Sequence, residues 1–363
     1  MEVILLTETL NISSKIGSYS VIMCDMLSDD YHTPFEQCRA AIVDQTVLNI
    51  YGKDRETFGA IKNIIPLTAR EKLKNAKTCI SLCEELLNVG FKRGETFLAI
   101  GGGTIQDIAT FTASILYRGI PWIYIPTTIL AQADSCIGGK SSLNIGNWKN
   151  QIGNFYPPRK IYIATKYLKS LSYNNIRSGL GEILKVHFIS GADMVKLIGK
   201  NYHSITMDDE ILTEVILRSL QLKAKIIEAD EFDQGYRLIL NYGHSFGHAF
   251  EAATKFSLPH GIAITFGMDL ANYLSWNLGR ISKNEYESLN KIIRENLKPS
   301  DFFDIDLKVF FKALRNDKKN RPGKYCFVLP VSLGKVEPMF ISMEQDIEKK
   351  ITHYIQGIKR CFF

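Results

Sequence analysis

The chain has 363 residues, of which 45% are hydrophobic and 23% charged, the composition of an ordinary globular protein. This length predicts two domains or one large one. The formal net charge of +6 is only mildly basic, and the basic residues are spread along the chain, which argues against a nucleic-acid partner. The small basic cluster Lys318-Lys-Asn-Arg321 is consistent with a small anionic substrate.

Cysteine usage and hydropathy bear on the cellular compartment. The seven cysteines are odd in number and form no Cys-x-x-Cys pair, which favours free thiols in a reducing, cytoplasmic compartment. Cys79 and Cys83 lie one helical turn apart and are expected to pack in a core. The first residues lack a basic region followed by a long apolar run, and no stretch has the length of a transmembrane helix. We therefore expect neither a signal peptide nor a membrane partner.

The first half of the chain alternates predicted strands and helices. Short apolar runs predict buried strands at residues 40–44, 96–100, 122–125 and 161–163. Helical spacing of apolar residues predicts helices at 69–89 and 104–116. A strand, a glycine turn, a helix and a second strand form a βαβ unit, which requires a parallel sheet. Residues 127–158 are rich in Gly, Ser and Asn and are expected to form a long functional loop.

The second half of the chain reads as helical almost throughout. Helices are predicted at residues 176–188, 209–230, 245–256 and 262–278. The change in character places a domain boundary near residues 170–175. We therefore expect an α/β domain at 1–172 and a helical domain at 173–363.

Histidines cluster in one short segment. Three of the seven lie there, as His244, His248 and His260. The i, i+4 spacing of the first two places both imidazoles on one helix face. A divalent metal with nitrogen and oxygen ligands, together with one free base, requires such a set, although each histidine alone could be structural. Because Ser245 follows His244, the segment is not the His-Glu-x-x-His motif of metalloproteases.

A glycine turn follows the strand at 96–100. The backbone N–H groups of Gly101–Gly103 can face a phosphate at the start of a helix, although a plain tight turn is the alternative. Gln106 stands where a third small residue is expected, so the turn is not the standard dinucleotide fingerprint. Asp44, at a strand end, and Glu71 are the acids that could contact a ribose.

A series of motifs runs in order through residues 40–330. They are Gly101-Gly-Gly-Thr-Ile-Gln-Asp107, Tyr117-Arg-Gly119, Pro126-Thr-Thr128, Leu130-Ala-Gln-Ala-Asp134, Gly138-Gly-Lys140, Lys149-Asn-Gln-Ile-Gly153, Gly181-Glu-Ile-Leu-Lys185, Arg237-Leu-Ile-Leu-Asn241, His260-Gly261 and Asp317-Lys-Lys319. This set resembles the 3-dehydroquinate synthase family of the sugar-phosphate cyclase superfamily. The resemblance implies an α/β fold with a Rossmann-like N-terminal domain and a mainly α-helical C-terminal domain. It also implies bound NAD, a divalent metal (zinc or cobalt) and a homodimer.

The resemblance also implies roles for individual residues. The metal ligands would be Glu182, His244 and His260, with His248 as a proton carrier and Lys185 facing the substrate. The implied NAD contacts are Asp44, Glu71, Lys74, Gly102, Gly103, Thr104, Ile105, Gln106, Asp107, Thr127, Thr128, Lys140, Lys149, Tyr167, Leu168, Lys169 and Ser170. The implied substrate contacts are Asp134, Lys140, Asn150, Lys185, Lys223, Arg237, Asn241, His248 and Lys318, with Arg118 supplied by the partner subunit.

The implied reaction converts 3-deoxy-D-arabino-heptulosonate 7-phosphate to 3-dehydroquinate and phosphate, a step of the shikimate pathway of aromatic amino acid biosynthesis. Four places depart from the family pattern. Gln106 replaces a usual glycine, and Ile262 stands where Glu usually follows His260-Gly261. Asn144-Ile-Gly-Asn-Trp148 precedes Lys149-Asn150 in an atypical form, and Arg70 stands where glycine usually precedes the nucleotide-binding acid. The alternatives are a sister cyclase (aminodehydroquinate or 2-deoxy-scyllo-inosose synthase type), a metal-dependent polyol dehydrogenase and a non-catalytic binding module. Arg237 and Asn241 together favour a substrate that carries a carboxylate.

Overall fold

The computed structural model describes residues 8–24, 35–54, 58–146, 148–301, 304–343 and 345–358. Residues 1–7 and Cys361, which bear on the predictions about a signal peptide and free thiols, lie outside these ranges. The chain forms two compact units. The first comprises the residues up to Leu171 together with Lys223–Phe232, and the second comprises Ser172–Leu222 together with the residues from Asp233 onward.

The first unit is built on a largely parallel sheet. Its strands are β1 (Thr9–Ile12), β2 (Tyr19–Met23), β3 (Cys38–Asp44), β4 (Ile64–Leu67), β5 (Thr96–Gly101), β6 (Trp122–Pro126), β7 (Leu143–Ile145), β8 (Trp148–Ile152) and β9 (Lys160–Ile163). Its helices are α1 (Gln45–Tyr51), α2 (Ala76–Asn88) and α3 (Gly103–Ile115). Seven strands form one sheet in the order β1-β2-β9-β6-β5-β3-β4, and β1 alone in this sheet pairs antiparallel, with β2.

The central strands read as continuous apolar runs because both faces of a parallel sheet are covered. In β5, every residue from Phe97 to Ile100 is buried, and the neighbouring β6 is buried along its whole length. Gly101 is in register with Pro126, and Ile100 with Val43. The carboxyl ends of β3, β5 and β6 therefore meet at one edge, which is where ligands bind in open α/β sheets.

Two segments of the first unit differ from the sequence prediction. The expected loop at 127–158 contains a π-helical turn, Ala131–Ser135, and the antiparallel hairpin β7–β8. The expected helix at 69–89 is a 3₁₀ turn, Glu71–Leu73, followed by α2. The break occurs at Asn75, whose side-chain oxygen accepts from the N–H of Thr78 at 3.0 Å and so caps a new helix.

The second unit is mainly helical. Its helices are α4 (Tyr173–Phe188), α5 (Ala192–Asn201), α6 (Asp209–Ala229), α7 (His244–Ala253), α8 (His260–Asn277), α9 (Lys283–Glu295), α10 (Leu307–Arg315) and α11 (Gln345–Ile358). The expectation of helix almost throughout is wrong for residues 324–342, which form the antiparallel strands β10 (Lys324–Ser332) and β11 (Lys335–Ser342). A short buried apolar run such as Tyr325–Leu329 has no periodicity that separates strand from helix.

The last residues of α6 and the segment after it belong to the first unit. The turn between β1 and β2 hydrogen-bonds to this part of the chain. The N–H of Ser13 donates to Glu228 at 2.9 Å, and the N–H of Lys15 donates to Glu231 at 2.8 Å. The ring of Phe232 also packs edge-on against Phe155, with 5.4 Å between centroids. Lys223 is thereby placed among the residues of the α/β unit.

Helices α4, α7 and α8 touch backbone to backbone at glycines. A Cβ on Gly261 would lie 1.7 Å from the carbonyl oxygen of Ser178, and one on Gly181 would lie 2.1 Å from that of Gly261. A Cβ on Gly267 would lie 2.0 Å from the carbonyl oxygen of Gly243. Any larger residue at these places would force the helices apart. None of the helices within the described ranges combines the length and apolarity needed to cross a bilayer.

We predict that Gly261→Ala lowers the free energy of unfolding by about 3 kcal/mol, because backbone atoms of α4 cannot yield as a side chain could. Gly357→Ala is the matched control, since a Cβ there would meet nothing within 4 Å and lies inside α11. That variant should be as stable as the parent, or more stable by about 0.5–1 kcal/mol. Urea unfolding of the three proteins measures both effects. Equal stability of the Gly261 variant and the parent would contradict the packing described.

Candidate active site

Three side chains of the second unit converge on one point. Glu182 comes from α4, while His244 and His260 are the first residues of α7 and α8. Their ligand atoms all lie within 4.8 Å of one another. Glu182 Oε1 is 3.3 Å from His260 Nε2 and 3.7 Å from His244 Nε2. The predicted metal ligands are therefore brought together by three separate helices.

The electrostatics of this cluster fit a divalent cation. Burial, reinforced by the positive charge of Lys185, lowers the pKa of His244 well below its usual value, so that its ring is neutral. Burial acts in the same direction on His260, but the carboxylates of Glu251 and Glu182 outweigh it and raise the pKa of His260 to about 10. The carboxylates thus favour positive charge at this place. Two imidazoles and one carboxylate are a catalytic zinc donor set that leaves coordination positions open.

A further carboxylate lies beside the cluster. Glu251 Oε2 is 3.3 Å from His260 Nδ1, on the side of the ring opposite the nitrogen that faces Glu182. Such a carboxylate orients a metal-binding imidazole and raises its basicity. The sequence reading missed Glu251, although its place at i, i+4, i+7 with His244 and His248 on one helix face was a usable signal. Ile262, at the position where the family usually has Glu, is fully buried in α8.

Lys185 and His248 flank the predicted metal ligands. Lys185 Nζ lies 2.5 Å from Glu182 Oε2, and both side chains are buried. Part of the lysine charge is therefore used to hold the Glu182 carboxylate. His248 is exposed on α7, with its ring centroid 5.5 Å from that of His244 and 5.8 Å from that of His260. It lies beside the predicted ligands, where a proton carrier needs to be.

The basic residues of the second unit differ in burial. Arg237 is buried on the 3₁₀ turn Tyr236–Asn241, and Asn241 Nδ2 donates to the carbonyl of Leu238 at 3.2 Å. Lys318 is exposed, whereas its neighbour Lys319 is buried in an ion pair with Asp317 at 2.7 Å. Both Lys319 and Asp317 act electrostatically on His248. Sequence reasoning missed Lys319, because adjacent lysines after a helix carry no signal of which one turns inward.

The predicted nucleotide turn lies between β5 and α3. Gly102 caps the helix, and a Cβ on it would lie 3.0 Å from Thr128. The N–H of Thr127 donates to the carbonyl of Gly101 at 3.1 Å, which holds the ends of β5 and β6 together. The turn therefore presents the bare backbone of a helix N-terminus at the ligand edge of the sheet.

Other predicted NAD contacts form a polar network beside this turn. Lys74 Nζ donates to Asn150 Oδ1 at 2.7 Å and lies 3.2 Å from Asp107 Oδ2. Burial outweighs this lysine and raises the pKa of Asp107 to about 6. Glu71 accepts from Asn144 Nδ2 at 2.8 Å. Asp44, the last residue of β3, caps α1 by accepting from the N–H of Thr46 at 2.9 Å.

The remaining predicted residues of the first unit occupy varied surroundings. Tyr167 and Leu168 are buried and Lys169 and Ser170 are exposed on the 3₁₀ turn Thr165–Ser170. Lys149 is half-buried on β8, and Lys140 Nζ lies 5.8 Å from the ring centroid of Phe155. Asp134 Oδ1 lies 2.5 Å from Lys223 Nζ, and both residues are buried. Arg118 is exposed and has a positive φ of 65°.

Comparison with known proteins identifies the family. The sequence matches the 3-dehydroquinate synthase N-terminal domain over residues 64–178 and the 3-dehydroquinate synthase C-terminal domain over residues 179–320. A 3-dehydroquinate synthase of Alkaliphilus metalliredigens (strain QYMF) is 37% identical over 311 residues, which is 84% of this chain and 86% of the relative. The chain belongs to the 3-dehydroquinate synthase family. The family resemblance noted from the sequence motifs is confirmed.

Solved structures of the superfamily share the fold. The 2-epi-5-epi-valiolone synthase of Streptomyces hygroscopicus subsp. jinggangensis 5008, solved with NAD+ and Zn²⁺ bound, is 25% identical with a TM-score of 0.83, covering 96% of this chain and 99% of its own. A 2-deoxy-scyllo-inosose synthase is 22% identical with a TM-score of 0.85 over 96% of this chain and 100% of its own. The expected α/β fold class is confirmed.

We predict that Glu182→Ala and His260→Ala each abolish stoichiometric zinc binding. Glu251→Gln should still bind zinc, but with an affinity about 10–100-fold lower, because a neutral amide cannot offset positive charge on His260 as a carboxylate does. Glu287→Gln, an exposed glutamate on α9, is the control and should bind as the parent does. Competition with a chromogenic chelator measures each dissociation constant. Parent-like zinc affinity in the Glu182 variant would show that the ligand assignment is wrong.

Proposed function

We propose that this protein converts 3-deoxy-D-arabino-heptulosonate 7-phosphate to 3-dehydroquinate and phosphate, using NAD and a divalent metal. The observation that carries the proposal is the convergence of Glu182, His244 and His260 in a chain of this family. As a member of the family, the chain is a phosphate-eliminating cyclase, a carbon–oxygen lyase. The valiolone synthase solved with NAD+ and Zn²⁺ supports both cofactors.

The overall change breaks one carbon–oxygen bond to phosphate and forms one ring-closing carbon–carbon bond, with no net oxidation. When bound, NAD supplies a hydride acceptor that later returns the hydride, and the metal supplies a Lewis acid that polarises a substrate hydroxyl. The protein contributes position and charge. Glu182, His244 and His260 would hold the metal, and the turn at Gly102–Asp107 would hold the NAD phosphates. His248 is the proposed proton carrier beside the ligands.

The buried cations support a substrate with two anionic groups. Arg237 and Lys223 are almost wholly buried, so a substrate carboxylate beside them would form charge-assisted hydrogen bonds away from water. We assign these two to the carboxylate, since the guanidinium fork matches a planar carboxylate. We assign binding of the substrate phosphate to Lys140, Asn150 and Lys318. The burial of Lys319 beside Asp317 makes it a further candidate for this role.

A sister cyclase acting on a sugar phosphate without a carboxylate is the second candidate, and the fold is shared with such enzymes. A polyol dehydrogenase is a third candidate, because it also needs a metal and NAD. It would, however, have no need of phosphate-binding lysines. The buried Arg237 favours the heptulosonate over both, because neither competing substrate carries a carboxylate.

The remaining assignments are also proposals. We propose a homodimer in which Arg118 of the partner subunit reaches the substrate, supported by its exposed position and positive φ. We place NAD binding in residues 1–172 and metal binding in 173–363, supported by the two compact units. A cytoplasmic location is supported by the cysteines of the described segments, which are free thiols.

We predict that purified enzyme supplied with NAD and zinc releases phosphate from the heptulosonate phosphate without net growth of NADH absorbance, because the hydride returns within each turnover. Omission of NAD should abolish phosphate release. Phosphate and absorbance at the NADH maximum are followed in parallel in one reaction. NADH accumulating mole for mole with substrate consumed would instead establish the polyol dehydrogenase alternative.

We predict that Arg237→Ala lowers kcat/KM for the heptulosonate phosphate by the equivalent of about 2–5 kcal/mol, because it leaves a carboxylate without its partner. Arg218→Ala, which removes an exposed arginine of α6, should leave kcat/KM unchanged. The Arg237 variant should lose far less with sedoheptulose 7-phosphate, which has no carboxylate. Faster turnover of sedoheptulose 7-phosphate than of the heptulosonate by the parent enzyme would favour a sister cyclase.

A further inference from the structure

Gln106 uses its side chain to hold a turn that belongs to another part of the first unit. It lies in the first turn of α3 and is only 4% exposed. Gln106 Nε2 donates to the carbonyl oxygen of Ser135 at 2.6 Å, and Ser135 Oγ donates to Gln106 Oε1 at 2.6 Å. Both ends of the amide are therefore engaged by one residue, and the amide faces the turn Ala131–Ser135.

The same turn is held from α6 by Lys223. Lys223 Nζ donates to the carbonyl oxygen of Asp134 at 2.6 Å and lies 2.5 Å from its Oδ1. Adjacent residues, Asp134 and Ser135, are thus fixed by side chains from two helices. The turn is π-helical, a conformation that is rare and weakly self-stabilised, so these outside contacts set its geometry.

We propose that Gln106 is a positioning residue that couples the nucleotide turn to the turn carrying Asp134, so that NAD binding orders the Asp134–Lys223 pair. This inference rests on the proposed function, which places NAD at Gly102–Asp107 and substrate at Asp134 and Lys223. Ordering the start of α3 fixes Gln106, and Gln106 fixes Ser135 through a donor and an acceptor at once. Because linkage is reciprocal, substrate held at Asp134 strengthens NAD binding through the same side chain.

Two variants separate the hydrogen bonds from packing. Gln106→Met keeps the length and volume of the side chain but can form neither bond. Ser135→Ala removes the hydroxyl from the other side and leaves Gln106 in place, which also provides a test if the first variant does not fold. Gln221→Met, an exposed glutamine of α6, is the matched control.

Hydrogen exchange followed by mass spectrometry gives a readout that does not depend on activity. In the parent and the Gln221 variant, NAD should slow amide exchange in the peptide covering residues 129–137. In the Gln106 variant, exchange there should be about 5–10-fold faster, the equivalent of about one net hydrogen bond, and NAD should no longer slow it. Unchanged exchange, or slowing by NAD equal to that of the parent, would overturn the proposal.

Kinetics supply the second readout. Gln106→Met and Ser135→Ala should each raise the KM for the heptulosonate phosphate about 5–10-fold, with a smaller change in kcat, and the double variant should be no worse than either single one. Additive effects in the double variant would mean that the two residues act separately, against the proposal. If the parent releases no phosphate from this substrate, the proposed function fails, while the exchange experiment still decides the role of Gln106.

Discussion

The direct contact of α4, α7 and α8 at glycine residues is the constraint on which the predicted metal site of Glu182, His244 and His260 depends. Imidazole and carboxylate side chains are short, so three ligands from three helices can meet only if the helix backbones approach very closely. Gly181 and Gly261 allow this between α4 and α8, next to Glu182 and His260. Gly243 and Gly267 allow it between α7 and α8, next to His244. The glycines beside the ligands are therefore packing requirements of the site.

Three largely buried lysines within the described ranges each lie against a carboxylate. Lys74 lies against Asp107, Lys223 against Asp134, and Lys319 against Asp317, all largely buried. Under the proposed function, an anionic substrate at Lys223 or Lys319 would replace a carboxylate partner as well as displace water, and it would gain only the difference between the two interactions. Such exchange penalises a ligand that lacks one anionic group, because the cation then keeps its internal partner. Under the proposed function, this arrangement would favour sugar phosphates that carry both anionic groups.

The sequence predicted the features that depend on local pattern. The strand, glycine turn and helix at 96–116 and the helices carrying Glu182, His244 and His260 lie close to their expected bounds. Glu251 against His260 was missed although the helix face that Glu251 shares with His244 and His248 pointed to it. The burial of Lys319 in place of Lys318 could not be predicted, because it depends on tertiary packing. The hairpin at 324–342 was missed for a different reason: a fully buried run lacks the alternation that identifies a strand.

The departures from the family pattern at Gln106 and Ile262 are accommodated by different means. Gln106 brings a polar amide into a buried place, and Ser135 satisfies both its donor and its acceptor. Ile262 replaces the glutamate that usually follows Gly261. His260 Nδ1 nevertheless lies beside a carboxylate, which Glu251 supplies from α7. With Glu251 in that role, residue 262 is free to be apolar and joins the core of α8. Glu251 is therefore placed to orient the imidazole of His260, a predicted metal ligand, from α7 without a carboxylate on α8.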